Sequence, residues 1–427
     1  MVNLPFRQIH LDFHTSPHIP DVGADFDAEE FADTLAAAHV NSVTAFARGH
    51  HGLCYYDTKI GPKHPSLGCD MFGGMVEACH ARGIRIPAYI TVSWDEWAAH
   101  HHPEWLARKR DGGMWLGGPM QATWHGVCML NEDYQRYLLA ITEEVLRGYE
   151  TDGLFMDIWM GPQPACFCWS CIEKMQADGV DAEDDEACRR WNEDRREDLM
   201  KQVRALAGEN RPEASVFFNS CLRVGKSDWL GQFTHVEIES LPTGGWGYAH
   251  FPLFQRYFRN FGKQTMGMTA RFHRTWGDFG GVKNRAALQF ECFSMLAGGA
   301  RCSVGDQLHP RGRLDKAVYD LIGSVYGSVE EKEPWCAGAE HVAQVAVLHD
   351  QKAEDGVGGA VRAMLECHEL FDVLDAGGDL SPYDVLILPD AVRLDEALED
   401  KVRRYLAAGG ALIASGESGM AAERDEF

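Results

Sequence analysis

The 427-residue sequence contains no run of 18 consecutive apolar residues, which excludes a conventional bilayer-spanning helix. Its N-terminus, Met1-Val-Asn-Leu-Pro-Phe-Arg7, lacks the basic stretch and apolar core of a secretory leader. Positive charge is scarce: 40 Lys and Arg stand against 64 Asp and Glu, a formal balance of −24. Such a surface repels phosphate backbones and anionic lipids, so neither nucleic acid nor a membrane is an expected partner. There is no Gly-x-Gly-x-x-Gly turn to support dinucleotide binding, and no internal repeat or low-complexity tract. Thirteen cysteines, an odd number scattered along the chain, argue against a disulfide framework and for a reducing compartment, so a soluble, cytoplasmic protein is expected.

What is present is ordinary globular material, 45% apolar and 24% charged, enough for a large core. The length fits one barrel of ~250 residues or more plus a partial second domain. Short β-rich runs alternate with stretches of helical spacing: Gln8 to His14, Ser42 to Phe46, Ile84 to Ile90, Gly153 to Asp157, Ser215 to Asn219, His235 to Glu239, Gln264 to Thr269 and Ala300 to Val304. Eight strands alternating with helices such as 27–39 and 134–149 predict an α/β fold, a (β/α)₈ TIM barrel over residues 1–335. From Val342 the pattern becomes that of a doubly wound, flavodoxin-like α/β domain over 340–427, with strands at Val342 to Leu348, Val385 to Pro389 and Ala411 to Ser415 and a helix over Glu396 to Ala407. The final segment, 420–427, leaves that domain unfinished, so a fragment of a longer protein is expected.

Polar side chains stand where the barrel strands end, and in this fold those ends form the active-site face. Asp157 follows three apolar residues at the end of the fourth strand and is the candidate nucleophile. Glu237 and Glu239 alternate on the sixth strand so that both face inward. Two such carboxylates repel, which suits one of them to donate a proton. Glu239 is nearer the mouth and is preferred, with Glu237 retained, while a structural glutamate paired with Arg271 is the plainer reading. Asp306 is a rival nucleophile, ranked lower because Gly305-Asp306-Gln307 reads as a turn. His14, His50, His51, Tyr89, Asn219, Arg271, His273 and His309 offer hydrogen bonds around the mouth, and Trp94 and Trp159 offer flat faces for a neutral ligand such as a sugar. Cys166-Phe-Cys168-Trp-Ser-Cys171, with Cys128 earlier in the chain, supplies four thiolates for a closed, structural Zn²⁺ site, although unligated buried thiols would have the same spacing. His100-His101-His102 reads as a solvated polar turn.

The segment Ser42-Val-Thr-Ala-Phe-Ala-Arg-Gly-His50-His51-Gly-Leu-Cys-Tyr-Tyr-Asp-Thr-Lys59 resembles the His-His-Asp-Gly-Phe segment of family 29 α-L-fucosidases, without the Asp between His-His and Gly. Tyr149 to Trp159 resembles the strand carrying their aspartate nucleophile. The chain is more similar still, over residues 7 to 335, to family 151 fucosidases and allied uncharacterised glycosidase-like proteins. The resemblance implies a retaining exo-acting glycoside hydrolase, probing terminal fucose through His14, His50, His51 and Tyr89, attacking through Asp157 and needing no catalytic cofactor. Cys166, Cys168 and Cys171 are similar to the zinc site of family 42 β-galactosidases, and the region from about 342 resembles the start of their trimerisation domain, implying a dimer or trimer. Family 42 takes its acid/base from an Asn-Glu pair on strand four, where this chain has Met156-Asp157. The alternatives are another glycosidase specificity, such as β-galactosidase, on the same barrel, or a sugar-binding protein that has lost catalysis.

Overall fold

The computed structural model describes residues 3–350 and 354–420. The eight apolar runs form parallel strands β1 (Arg7–Asp12), β2 (Ser42–Arg48), β3 (Pro87–Thr91), β4 (Gly153–Asp157), β5 (Ser215–Phe218), β6 (Val236–Glu239), β7 (Thr265–Ala270) and β8 (Arg301–Gln307). Nearly every strand residue is buried, because side chains fill the inside and helices cover the outside. That is why these strands read as continuous apolar runs rather than alternating ones. Their order is β5-β4-β3-β2-β1-β8-β7-β6, a nearly closed barrel in which β1 pairs with β8. At the remaining seam Thr234 joins β5 to β6: its N–H donates to Val216 O at 3.0 Å, and its hydroxyl accepts from Val216 N–H at 2.8 Å.

The helices around the barrel are α1 (Ala28–Ala37), α2 (Met71–His80), α3 (Glu96–His101), α4 (Glu132–Gly148), α5 (Trp169–Ala177), α6 (Asp185–Asn210), α7 (His250–Phe258), α8 (Arg285–Ala297), α9 (Lys316–Glu330) and α10 (Glu333–Cys336). Asp27, Asp70, Asp95, Asn131, Asp184, Asn284 and Asp315 each cap a helix by accepting from a backbone N–H of its first turn. Among the described residues no helix is long and apolar enough to cross a membrane.

Two turn readings are corrected. Gly305-Asp306-Gln307 continues β8, paired with His10, Leu11 and Asp12 of β1, because parallel pairing outweighs the local turn preference of Gly and Asp. His100 and His101 close α3 rather than lying in a turn.

A separate four-stranded parallel sheet follows, built from β9 (Val345–Leu348), β10 (Phe371–Leu374), β11 (Val385–Leu388) and β12 (Ala411–Ala414) in the order β10-β9-β11-β12, with α11 (Glu354–Glu366) and α12 (Glu396–Ala407). The reversal of strand order at β9 is the doubly wound pattern. The segment 421–427, on which the expectation of an unfinished domain rests, lies outside the described residues. This sheet docks on the barrel through Arg259, 2.6 Å from the buried carboxylate of Asp372, and through Tyr257, whose hydroxyl donates to Asp375 at 2.6 Å.

Candidate active site

The C-terminal ends of the barrel strands surround a cavity of about 700 Å³. His10, Asp12 and His14 project into it from β1 and the residues just beyond, as the period-2 alternation of a strand requires. Asp157 ends β4, and its carboxylate is nearly buried. Tyr89, two residues deeper on β3 than the partner of Asp157, Thr91, reaches up to donate its hydroxyl to Asp157 Oδ2. Asn219, just past β5, donates to Asp157 Oδ1 at 2.9 Å and from the same amide nitrogen to Glu239 Oε2 at 3.1 Å. Trp276 donates its indole N–H to Glu239 Oε1 at 2.7 Å.

One amide nitrogen, just past β5, thus bridges the carboxylates at the ends of the flanking strands β4 and β6. The two oxygens it holds are at most about 6 Å apart, the sum of the two hydrogen-bond lengths, so the two carboxylates face one narrow site, the compact arrangement that retaining glycosidases use.

The backbone at these positions is strained. Ile158 and Ser220, immediately after Asp157 and Asn219, have φ of 58° and 68°. A β-branched residue in that region costs on the order of 1–3 kcal/mol, and strain of this kind collects where side chains are aimed for function. The turned backbone is held by Trp159 N–H donating to Asn219 O at 2.9 Å.

Burial raises the Glu239 carboxyl above the usual range, opposed by the Trp276 and Asn219 hydrogen bonds and assisted by the charges of Asp157 and Asp12. Glu237 sits one pleat deeper, where His235 Nε2 lies 2.9 Å away and the Gln8 amide donates at 3.1 Å. Burial, with His14, His51 and Arg48 nearby, holds the His50 imidazolium far below its usual pKa, so His50 is neutral near pH 7. The Thr91 hydroxyl donates to Trp94 O at 2.8 Å and so accepts from His50 Nδ1–H at 2.7 Å. That leaves His50 Nε2 as an acceptor, 3.7 Å from Asp157 Oδ2. His14 stacks on His50 at 3.7 Å between ring centroids, accepts from His50 N–H and has its Nε2 2.9 Å from Asp12.

The cavity therefore brings together Asp157, Glu237, Glu239, His14, His50, Tyr89, Trp94 and Asn219 from the expected set. His51 faces a neighbouring cavity instead. Trp159 is fully buried against Phe218, below the cavity wall. Arg271 and Asp306 form a buried ion pair at 2.8 Å, and Arg271 also donates to Phe279 O and Gly281 O, so it braces the loop carrying Trp276. His273 and His309 are exposed on loops outside the lining. Sequence reasoning missed Asp12, Trp124, His250 and Trp276, all of which line the cavity. Asp12 shares the inward face with His10 and His14 and was open to detection by alternation, whereas the other three sit in or beside loops with no periodicity.

Trp276 lies over Gly305, where an added Cβ would clash with its ring. Gly305→Ala is expected to push the indole off Glu239 and lower kcat about fivefold, the equivalent of the ~1 kcal/mol carried by one hydrogen bond. Steady-state kinetics checks this, and unchanged kcat would show that Trp276 does not tune Glu239.

The thiols of Cys128, Cys166, Cys168 and Cys171 converge in one buried cluster, all four sulfurs within 4.8 Å of one another. Cys128 and Cys171 approach to 3.5 Å, too far for a disulfide and near the sulfur separation around a tetrahedral ion. Backbone N–H groups of Arg108 and Cys168 point at Cys166 Sγ, at 3.3 and 3.4 Å, as they would at a thiolate. The four residues are thus arranged to hold a metal ion, with no side open to solvent.

The fold is a TIM-like barrel of the kind found in glycoside hydrolases. Residues 27–158 match the family model described as Hypothetical glycosyl hydrolase 6, and residues 361–427 match that of the Beta-galactosidase trimerisation domain. Alpha-L-fucosidase isoenzyme 2 from Paenibacillus thiaminolyticus is similar with a TM-score of 0.94 and 42% identity, over 98% of this chain and 65% of that one. The chain therefore spans 65% of that protein's length. The resemblance carried by the His50-His51 and Asp157 segments extends along nearly the whole chain. β-Galactosidases from Bacillus circulans sp. alkalophilus and Rahnella sp. R3 share the fold, each with a TM-score of 0.72 over 97% of this chain and 71% of their own, at 14% and 15% identity. No curated protein matches the sequence.

Proposed function

We propose that the chain is a retaining, exo-acting glycoside hydrolase that removes terminal α-L-fucose, with Asp157 as nucleophile and Glu239 as acid/base. The observation that supports this reading is the Asn219 bridge, through which one amide nitrogen holds an oxygen of each carboxylate, as close a pairing as double displacement needs. The choice of sugar rests on the 42% identity to the Paenibacillus enzyme. In the first step Asp157 attacks the anomeric carbon while Glu239 passes its proton to the departing glycosidic oxygen, leaving a glycosyl ester and an ionised Glu239. In the second, Glu239 takes a proton from water, whose oxygen displaces Asp157 and restores the starting configuration. Tyr89 and Asn219 hold Asp157 for in-line attack. His50 Nε2 is placed to accept from a sugar hydroxyl, and Phe155, Met268 and Trp276 present apolar surface to the ring. A panel of aryl glycosides tests specificity. Release from the α-L-fucoside alone is expected, and release from the β-galactoside instead would favour the kinship with family 42.

The four cysteines are proposed to hold a structural Zn²⁺ that supplies no chemistry to the reaction and ties α5 to the segment before α4. Elemental analysis of freshly purified protein should find zinc, and its absence would remove the assignment. Chelation is expected to cost several kcal/mol, lowering Tm by roughly 1 °C for each in a chain of 427 residues. The match at 361–427 supports assembly into a homo-oligomer, a dimer or trimer, which light scattering of the chain will decide.

A further inference from the structure

Next to the active-site mouth, on the other side of Trp124, lies a second cavity of about 580 Å³. Glu96 opens α3 and His100 follows four residues later, so both side chains rise on one helix face. His125 meets them from the segment between α3 and α4. Its Nδ1 lies 2.8 Å from Glu96 Oε2, and its backbone N–H donates to Glu96 Oε1 at 2.7 Å. His100 Nε2 stands 3.5 Å from the same Oε2, and the two imidazole rings are 5.1 Å apart. One donor atom from each of the three residues falls within 4.8 Å of the others.

A single carboxylate oxygen faced by two imidazole nitrogens is a metal-like arrangement. A tetrahedral ion with nitrogen and oxygen ligands at ~2.0–2.2 Å sets neighbouring donors about 3.3–3.6 Å apart, so the trio needs only small adjustments to enclose one. Two imidazoles and one carboxylate favour Zn²⁺ and its neighbours over Mg²⁺ or Ca²⁺, which take oxygen. The backbone N–H of His125 fixes the second carboxylate oxygen, as supporting hydrogen bonds do around metal ligands. Glu96 and His100 also line the second cavity, which leaves room for a water or a ligand group to complete the coordination.

We propose that Glu96, His100 and His125 form a site for a divalent transition-metal ion of the zinc class, clamping the segment that carries Trp124 onto α3. Trp124 lines the catalytic cavity and its ring lies 5.2 Å from that of His50 and 4.8 Å from that of His51. The ion thereby fixes one wall of the sugar pocket. This site is independent of the four-cysteine cluster and of the fucosidase reading.

The test is calorimetric titration of the intact chain with ZnCl₂ for the wild type, His100→Ala, His125→Ala and, as control, His102→Ala, which stacks on Trp105 outside the trio. His100 is largely exposed, so its loss leaves the fold in place. The wild type and the control should bind one Zn²⁺ beyond any held by the cysteines, and both variants should bind it at least tenfold more weakly. Hydrogen exchange over residues 117–127 should slow with Zn²⁺ in the wild type and not in His100→Ala. Equal affinity in all four proteins, or no zinc beyond the cysteine site, overturns the proposal. Binding without protection of 117–127 overturns the clamp.

Discussion

Asp157→Ala is expected to lower turnover of an aryl α-L-fucoside by at least ~10³-fold, about 4 kcal/mol of lost transition-state stabilisation. The variant removes the attacking oxygen but leaves Tyr89, Asn219 and the cavity in place, so the small space left at the end of β4 can admit an anion. Azide added to the variant should then attack the anomeric carbon directly and restore turnover, giving the fucosyl azide of inverted, β configuration. Product analysis by NMR distinguishes this from rescue at the other carboxylate. Full activity in the variant, or no response to azide in a folded protein, would count against Asp157.

Glu239→Gln is expected to show a different signature. General acid–base assistance is worth roughly 10²–10⁴-fold, so kcat should fall by that factor on substrates with poor leaving groups and much less on activated aryl fucosides. Azide should here intercept the glycosyl ester and give the α-configured azide, with retention overall. The pH dependence has a definite sign. Burial raises the Glu239 carboxyl, so its proton is kept to higher pH than in an exposed glutamate, and wild-type activity should fall as pH rises through that raised value. Glu239→Gln cannot lose a proton and should lack this alkaline limb. If the limb persists in Glu239→Gln and disappears in Glu237→Gln, the acid is the deeper glutamate.

The barrel was legible because strands buried on both faces read as unbroken apolar runs, and all eight lie where those runs are. β10 was not, since Phe371-Asp372-Val373-Leu374 is interrupted by an aspartate that only tertiary pairing with Arg259 allows to be buried. The strand-end rule found Asp157, Glu239, Asn219, Tyr89 and His50, whose positions follow from the fold alone. It does not distinguish a side chain that faces the cavity from one engaged behind it. Arg271 and Asp306 satisfy the rule equally well, yet their charges are spent on each other and on the loop of residues 279–281. Trp276, which holds Glu239, and Trp124, which walls the other side, are delivered by loops whose path no local periodicity encodes. The left-handed φ of Ile158 and Ser220 is likewise held by tertiary contact, the Trp159 N–H to Asn219 O hydrogen bond between the segments after β4 and β5, and has no signal in residue type.

The account turns on a covalent bond between Asp157 and the sugar. A 2-deoxy-2-fluoro-fucosyl fluoride, which forms the glycosyl ester faster than water can resolve it, tests this directly when the labelled protein is digested and its peptides are weighed. The account predicts the added fluorofucosyl mass on the peptide containing Gly153-Leu-Phe-Met-Asp157. A label on the peptide of Glu239 or Asp306, or unlabelled protein that releases fucose with inverted configuration, would contradict it.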